Sequence, residues 1–120
     1  MFNLTPKISR DELKSQINSG KEFILLDVRQ KGELMHGMLP GAKHICIEEI
    51  DEALKLNPHE FKERYGFVMG KDSEIVCYCK SGERSKIVAN LLLSEGFTNV
   101  KDYSGSVEDW SKIDSNVKCY

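Results

Sequence analysis

Residues 74–85 place the strongest constraint on how this chain can fold. Four of them, Ile75 to Tyr78, are β-branched, small or aromatic, which is typical of a strand buried on both faces. Cys79 ends this strand, and apolar residues recur at helical spacing from Ser85 until Gly96. The pattern predicts a buried strand, a short loop and a helix that begins near Ser85.

A loop of this kind favours the ionised form of Cys79. Its backbone N–H groups can point inward at the sulfur, and the N-terminus of the following helix carries about half a positive charge. Both effects stabilise the thiolate, which is the nucleophilic form of cysteine. Arg84 adds a planar guanidinium suited to an oxyanion, and Gly82 lets the loop bend. We therefore interpret the loop as an anion cradle with a nucleophile at its base.

The same loop and two other stretches match the motifs of a known family. Residues 79–84 run cysteine, lysine, serine, glycine, glutamate, arginine. Residues 26–29 run leucine, aspartate, valine, arginine; Glu33 follows, and residues 37–42 form a glycine–methionine–leucine–proline–glycine–alanine turn. Residues 105–110 begin with glycine and end with tryptophan. In this order the three motifs resemble those of the single-domain rhodaneses, which are thiosulfate sulfurtransferases.

The resemblance covers a core of about residues 7–112 and implies that residues 1–120 form a single rhodanese-like domain. The fold class that it implies is α/β, with a mainly parallel central sheet flanked by helices on both faces. The alternation of predicted strands and helices favours the same class independently. Strands are predicted at residues 7–8, 23–27, 43–46, 75–78 and 98–103, and the helices include residues 47–56 and 58–66.

Asp27 and Cys79 each end a predicted strand. Because ligands of parallel sheets bind beyond the carboxyl ends of the strands, we expect the two residues at one edge of the sheet. Asp27 and Arg29 are interpreted as a structural ion pair that ties loops together, and the resemblance implies a scaffold role beneath the active loop. Ser85 is assigned, with this pair, to the structural support of the site.

The rhodanese resemblance implies a two-step sulfur transfer centred on Cys79. In the first step the thiolate attacks the outer sulfur of thiosulfate or a related anionic donor, becomes a persulfide and releases sulfite. In the second step cyanide, in an assay, or a cellular thiol takes this sulfur. Cys79 is therefore the predicted catalytic residue. The other loop residues are predicted to bind substrate, with Arg84 holding the donor oxyanion: Lys80, Ser81, Gly82, Glu83 and Arg84.

Other functions are open at this point. A persulfide carrier would hand sulfur to a sulfur-relay protein with little turnover of thiosulfate, and a regulatory module would bind proteins without chemistry. Such modules often lack the cysteine, so Cys79 and Arg84 disfavour a purely structural role. A cysteine followed after four residues by an arginine also suggests a cysteine phosphatase. The related phosphatases have a loop one residue longer, so this loop favours a sulfurtransferase.

The remaining cysteines are predicted to be non-catalytic. Cys77 lies two residues before Cys79 along an extended strand, which is a poor arrangement for a disulfide, so a buried structural thiol is favoured. Cys46 is likewise assigned no role, and Cys119 is expected to be exposed. Only one residue separates Cys77 from Cys79, whereas paired cysteines at structural zinc sites usually have about two to four residues between them. We therefore expect no metal, and no other cofactor is predicted. Met38 stands where the family commonly has histidine, and its consequence is open.

Length and charge exclude several function classes. The 120 residues suit one domain, and 40% hydrophobic and 30% charged residues are typical of a globular protein. With a net charge of −2, nothing favours nucleic acid or an anionic membrane as a partner. No apolar stretch approaches the roughly 20 residues of a membrane span, and residues 1–7 lack a signal peptide's apolar core. We therefore expect a cytoplasmic protein.

Overall fold

The computed structural model describes residues 5–120, and at its centre is a sheet of four parallel strands. The strands are β1 (Ile24–Asp27), β2 (Lys43–His44), β3 (Ile75–Tyr78) and β4 (Val100–Asp102). They stand in the order β2-β1-β3-β4, and each neighbouring pair is parallel. The predicted α/β class and parallel sheet are confirmed. Residues 1–4, on which part of the signal-peptide prediction rests, lie outside the described residues.

Helices and 3₁₀ turns connect the strands. The α-helices are α1 (Arg10–Asn18), α2 (Ile50–Ala53), α3 (Pro58–Tyr65), α4 (Glu83–Ser94) and α5 (Ser106–Trp110), and the 3₁₀ turns are Lys31–His36 and Ile47–Glu49. Ser9 caps α1 and Asn57 caps α3, each in a reciprocal capping box with the glutamate three residues on. α4 begins two residues earlier than the sequence pattern predicts, directly after Gly82.

Helices cover both faces of the sheet, as predicted. Side chains that alternate along a strand point to opposite faces. One face, which includes Leu26 and Cys77, packs against α2, α3 and α4. The other face, which includes Leu25 and Tyr78, packs against α1 and α5. β1 and β3 are buried on both sides, so packing on two faces positions their carboxyl ends, which lead into the predicted site.

The structure also differs from the predicted elements at two places. The predicted helix over residues 47–56 is divided into the 3₁₀ turn Ile47–Glu49 and the four-residue α2. The Ile47 amide donates to the Val28 carbonyl (3.1 Å), which ties this chain segment to the strand end and prevents one continuous helix. The predicted strand at residues 7–8 is a single parallel bridge between Lys7 and Asp102. Within residues 5–120, no helix has the length and hydropathy needed to cross a membrane.

Candidate active site

Cys79 follows the last residue of β3 and is almost fully buried, with 1% of its surface exposed. Its sulfur accepts hydrogen bonds from the backbone N–H groups of Gly82 (3.1 Å) and Ser85 (3.4 Å). The Ser85 hydroxyl oxygen lies 3.6 Å from the sulfur, and that of Ser106 lies 3.9 Å away. The loop and the first turn of α4 therefore surround the sulfur with polar groups.

These hydrogen bonds change the ionisation of Cys79. Burial by itself raises the pKa of the thiol, but the N–H groups of Ser85 and Gly82, together with the nearby hydroxyls of Ser85 and Ser106, outweigh burial and lower the pKa below its ordinary value. The positive end of the α4 dipole acts in the same direction, since α4 begins at Glu83 within the same loop. The geometry is therefore that of a stabilised thiolate.

Gly82 gives the loop its shape. Its φ of +100° lies in the left-handed region, and a Cβ at this position would overlap the carbonyl oxygen of Ser104. Glycine meets both conditions without strain, because it has no Cβ. The resulting conformation aims the Gly82 N–H at the Cys79 sulfur.

Arg84, which is predicted from the sequence to hold the donor oxyanion, has a partner in the structure. Its Nη1 and Nη2 atoms donate to the two carboxylate oxygens of Glu33 at 2.5 and 2.9 Å. The hydrogen bonds from Arg84 lower the pKa of Glu33 to about 2, so that Glu33 is charged at neutral pH. An anionic donor arriving at the loop would therefore meet an ion pair rather than an isolated cation.

Asp27 and Arg29 form a buried ion pair at the end of β1. The Arg29 guanidinium donates to both Asp27 carboxylate oxygens, at 2.7 to 3.1 Å, and also to the Gly37 carbonyl at 2.7 Å. Burial disfavours the charged guanidinium, but Asp27 compensates, and the pKa of Arg29 is raised. The Tyr78 hydroxyl donates to Asp27 (2.7 Å) and accepts from the Leu39 amide (3.1 Å). This network fixes the segment from residue 31 to 39, which carries Glu33.

Of the five residues predicted to bind substrate, only Gly82 forms a hydrogen bond to the Cys79 sulfur in the described part of the chain. The other four form none: Lys80, Ser81, Glu83 and Arg84. The Ser81 hydroxyl donates to Glu83 at 3.1 Å. The Lys80 carbonyl accepts from the Glu108 amide at 3.0 Å, which ties the loop to α5.

An open cavity of ≈ 510 Å³ lies beside Ser81 and Glu108. A second cavity, of ≈ 590 Å³, lies at the amino ends of the strands and is lined by none of the predicted site residues.

Glu33 and Ser106 contact the site residues, although their sequence pattern predicts no role for them. The Ser106 hydroxyl accepts from the Cys79 amide (3.1 Å) and donates to the Tyr103 carbonyl (2.9 Å). Both residues lie in the motifs quoted above, so a signal was present in the sequence. Their roles depend on contacts with residues far away in the chain: Glu33 meets Arg84, and Ser106 meets Cys79.

All four cysteines are free thiols. Cys77 is fully buried, and burial together with the nearby Asp102 and Cys79 raises the pKa of its thiol. The Cys46 thiol donates to a Glu48 carboxylate oxygen at 2.7 Å. In the part of the chain that the structure describes, no group of three or more His, Cys, Asp or Glu side chains could hold a metal ion.

Comparison with known proteins identifies the family. The rhodanese-like domain model matches residues 9–113. The chain is 39% identical over 112 residues to mouse thiosulfate sulfurtransferase/rhodanese-like domain-containing protein 3, covering 91% of this chain and 71% of the mouse protein. It is 33% identical over 112 residues to human thiosulfate:glutathione sulfurtransferase, covering 92% of this chain and 96% of the human protein.

A solved structure supports the same conclusion. The human single-domain sulfurtransferase TSTD1 superposes with a TM-score of 0.85 at 31% identity, covering 92% of this chain and 99% of the human one. The strand-end cysteine and its loop are thus set in a fold that this sulfurtransferase shares. The chain belongs to the rhodanese-like family.

Proposed function

We propose that this chain is a sulfurtransferase that carries sulfane sulfur as a persulfide on Cys79. The observation that carries the proposal is the position of the Cys79 sulfur, which accepts hydrogen bonds from the backbone N–H groups of Gly82 and Ser85 at 3.1 and 3.4 Å. The same donors that stabilise a thiolate can stabilise the anionic outer sulfur of a persulfide, because both are sulfur anions at the base of one loop.

The reaction has two displacement steps. The Cys79 thiolate attacks the outer sulfur of the donor; a new S–S bond forms, the S–S bond of thiosulfate breaks, and sulfite leaves with the electron pair. An acceptor thiolate, or cyanide in an assay, then attacks the outer sulfur of the persulfide. The S–S bond to Cys79 breaks, and the cysteine leaves as a thiolate, ready for the next cycle.

Thiosulfate as the donor and a low-molecular-weight thiol such as glutathione as the acceptor are part of the proposal. The mouse relative is named a thiosulfate sulfurtransferase and the human relative a thiosulfate:glutathione sulfurtransferase, which supports both choices. Arg84 and Lys80 supply the positive charge for an anionic donor, and Arg84 does so by exchanging Glu33 for the donor. Asp27 and Arg29 hold the segment that carries Glu33.

A persulfide carrier is the second candidate function. The Arg84–Glu33 ion pair favours it, because a guanidinium that is already neutralised attracts a small anion weakly. A protein persulfide brings its sulfur without an oxyanion and needs no such cation. The carrier would use the same Cys79 chemistry and differ in its donor.

Intact-protein mass spectrometry tests the proposed function. Wild type, Cys79→Ser and the exposed-cysteine control Cys119→Ser are incubated with thiosulfate and then with cyanide. We expect one added sulfur on wild type and on Cys119→Ser, none on Cys79→Ser, and removal of the sulfur by cyanide. A glutathione persulfide donor is used in a parallel sample.

The outcomes separate the two functions. Loading from glutathione persulfide but not from thiosulfate would favour the carrier. Sulfur on Cys79→Ser equal to that on wild type would contradict both functions.

A further inference from the structure

The Ser85 hydroxyl lies between the Cys79 sulfur and a second buried group, the carboxylate of Asp102. The Ser85 Oγ donates to Asp102 Oδ1 at 2.7 Å, and the Cys79 sulfur lies 3.6 Å from the same Oγ. Ser85 and Asp102 are 0% and 1% exposed. The three side chains form a continuous, buried line from β3 through α4 to β4.

The direction of these hydrogen bonds follows from the chemistry of a hydroxyl. Ser85 has one proton to donate, and the short bond to Asp102 uses it. Its oxygen lone pairs are then available to the thiol, so the Cys79 S–H can donate to Ser85. The Gly82 carbonyl is a longer alternative acceptor for the Ser85 proton, at 3.3 Å.

We propose that Asp102 is a positioning residue that shares one proton with Cys79 through the Ser85 hydroxyl. The inference rests on the proposed function, since it concerns the thiolate that would take the sulfur. When the thiolate forms, the Cys79 proton passes to Ser85 Oγ as the Ser85 proton passes to Asp102 Oδ1. The products are a thiolate, a Ser85 hydroxyl that donates to it, and a neutral Asp102. No electrons are gained or lost, and the return is the reverse path.

The surroundings of Asp102 favour a neutral carboxyl group. Among the described residues it has no ion pair; the cations near it are Lys7 and Lys86, both with exposed side chains, and its neighbour on β3 is the uncharged Cys77. Burial raises the pKa of Asp102, although the Ser85 hydrogen bond and these lysines oppose it. Arg84, which also lies near Cys79, has its charge balanced by Glu33.

Proton sharing has a specific consequence for titration. If two groups share one proton, they ionise in two macroscopic steps that belong to the pair rather than to either group. A fraction of Cys79 is then thiolate after the first step, and the rest ionises only in the second. An aspartate that never exchanges its proton gives a single thiol step instead.

Alkylation of Cys79 by iodoacetamide, an uncharged reagent, measures the thiolate at each pH. Wild type, Asp102→Asn and the exposed control Asp72→Asn are compared, with the modified residue identified by mass spectrometry. Asparagine can still accept from Ser85 but cannot hold the shared proton. We expect a two-step rise for wild type and Asp72→Asn. For Asp102→Asn we expect one step, with its midpoint below the upper wild-type step because no charge forms at residue 102.

A single-step wild-type profile, or a two-step profile that persists in Asp102→Asn, would overturn proton sharing. Thermal unfolding of each variant identifies loss of fold as a separate cause. The experiment needs no sulfur donor, because alkylation reports the Cys79 thiolate directly. Failure of the proton-sharing inference is therefore distinguishable from failure of the proposed function, which would appear as absence of sulfur on wild type.

Discussion

Two buried aspartates, Asp27 and Asp102, end the strands on either side of β3, but their surroundings differ. Asp27 faces the Arg29 guanidinium, which donates to both of its carboxylate oxygens, and also the Tyr78 hydroxyl. The Asp102 carboxylate faces the single hydroxyl of Ser85. One strand end therefore holds a complete ion pair, and the other holds a carboxyl group that no cation of residues 5–120 contacts directly.

The different surroundings of Asp27 and Asp102 suit the two aspartates to different roles. A buried carboxylate with a guanidinium partner keeps its charge, because neutralising one partner would leave the other uncompensated. Asp27 can therefore act as scaffold, and through Arg29 it fixes the segment that carries Glu33. A buried carboxyl group that faces only a hydroxyl gains by holding a proton. Asp102 is thus suited to adjust the charge beside Cys79.

The same substitution at both positions gives the largest expected contrast. Asp27→Asn leaves Arg29 buried without a counter-ion and should lower the free energy of unfolding by about 3–5 kcal/mol. Asp102→Asn keeps an acceptor for the Ser85 hydroxyl and should change the free energy of unfolding by less than about 1 kcal/mol. Urea unfolding at neutral pH measures both values. Equal losses in the two variants would show that the aspartates do not differ as described.

Ser85→Ala should reduce the rate of sulfur loading at neutral pH by about tenfold. A hydrogen bond to a charged group contributes roughly 1.5–3 kcal/mol, and the long separation from the sulfur places this one at the lower end. The backbone N–H of Ser85 is retained in the variant. The rate of persulfide formation is measured with thiosulfate, and Ser94→Ala, exposed at the far end of α4, is the control. An unchanged rate would remove the hydroxyl from the mechanism.

The stability of wild type relative to Asp102→Asn should rise as the pH falls. Because the pKa of Asp102 is raised in the folded state, the folded protein binds this proton more tightly than the unfolded chain. The free energy of unfolding of wild type, relative to that of Asp102→Asn, increases as the pH falls from the raised pKa to the ordinary value of 3.8. The increase is up to about 1.4 kcal/mol per pH unit. Urea unfolding of both proteins across this range measures it. A difference that is independent of pH would contradict the raised pKa.

The smallest expected effect concerns the Arg84–Glu33 pair. Glu33→Gln frees the guanidinium and should lower the KM for thiosulfate a few-fold, consistent with about 1 kcal/mol or less for a partly exposed ion pair. The stability that Glu33 contributes should be lost as the pH falls from 4.5 to about 2, its pKa in the folded protein. Steady-state kinetics and an acid unfolding series measure the two effects. A raised KM would show that Glu33 positions Arg84 for the donor.

The sequence pattern predicts the parts of this site that are local in the chain. Alternating buried strands and helices predict the sheet, and the run from Ile75 into Cys79 predicts the position of the proposed nucleophile. The Arg84 partner is not predictable in this way, because Glu33 lies on a separate 3₁₀ turn. Asp102 ends a three-residue strand, which is too short for its pattern to assign a buried face.

The most direct test of the account is the pH dependence of sulfur loading on Cys79 from thiosulfate, with the loaded residue identified by mass spectrometry. The hydrogen bonds to the sulfur predict that the sulfur appears on Cys79 alone, at a rate that rises with a midpoint below the ordinary cysteine pKa of 9.0. A midpoint at or above that value, or sulfur on Cys46 or Cys119 instead, would contradict the account.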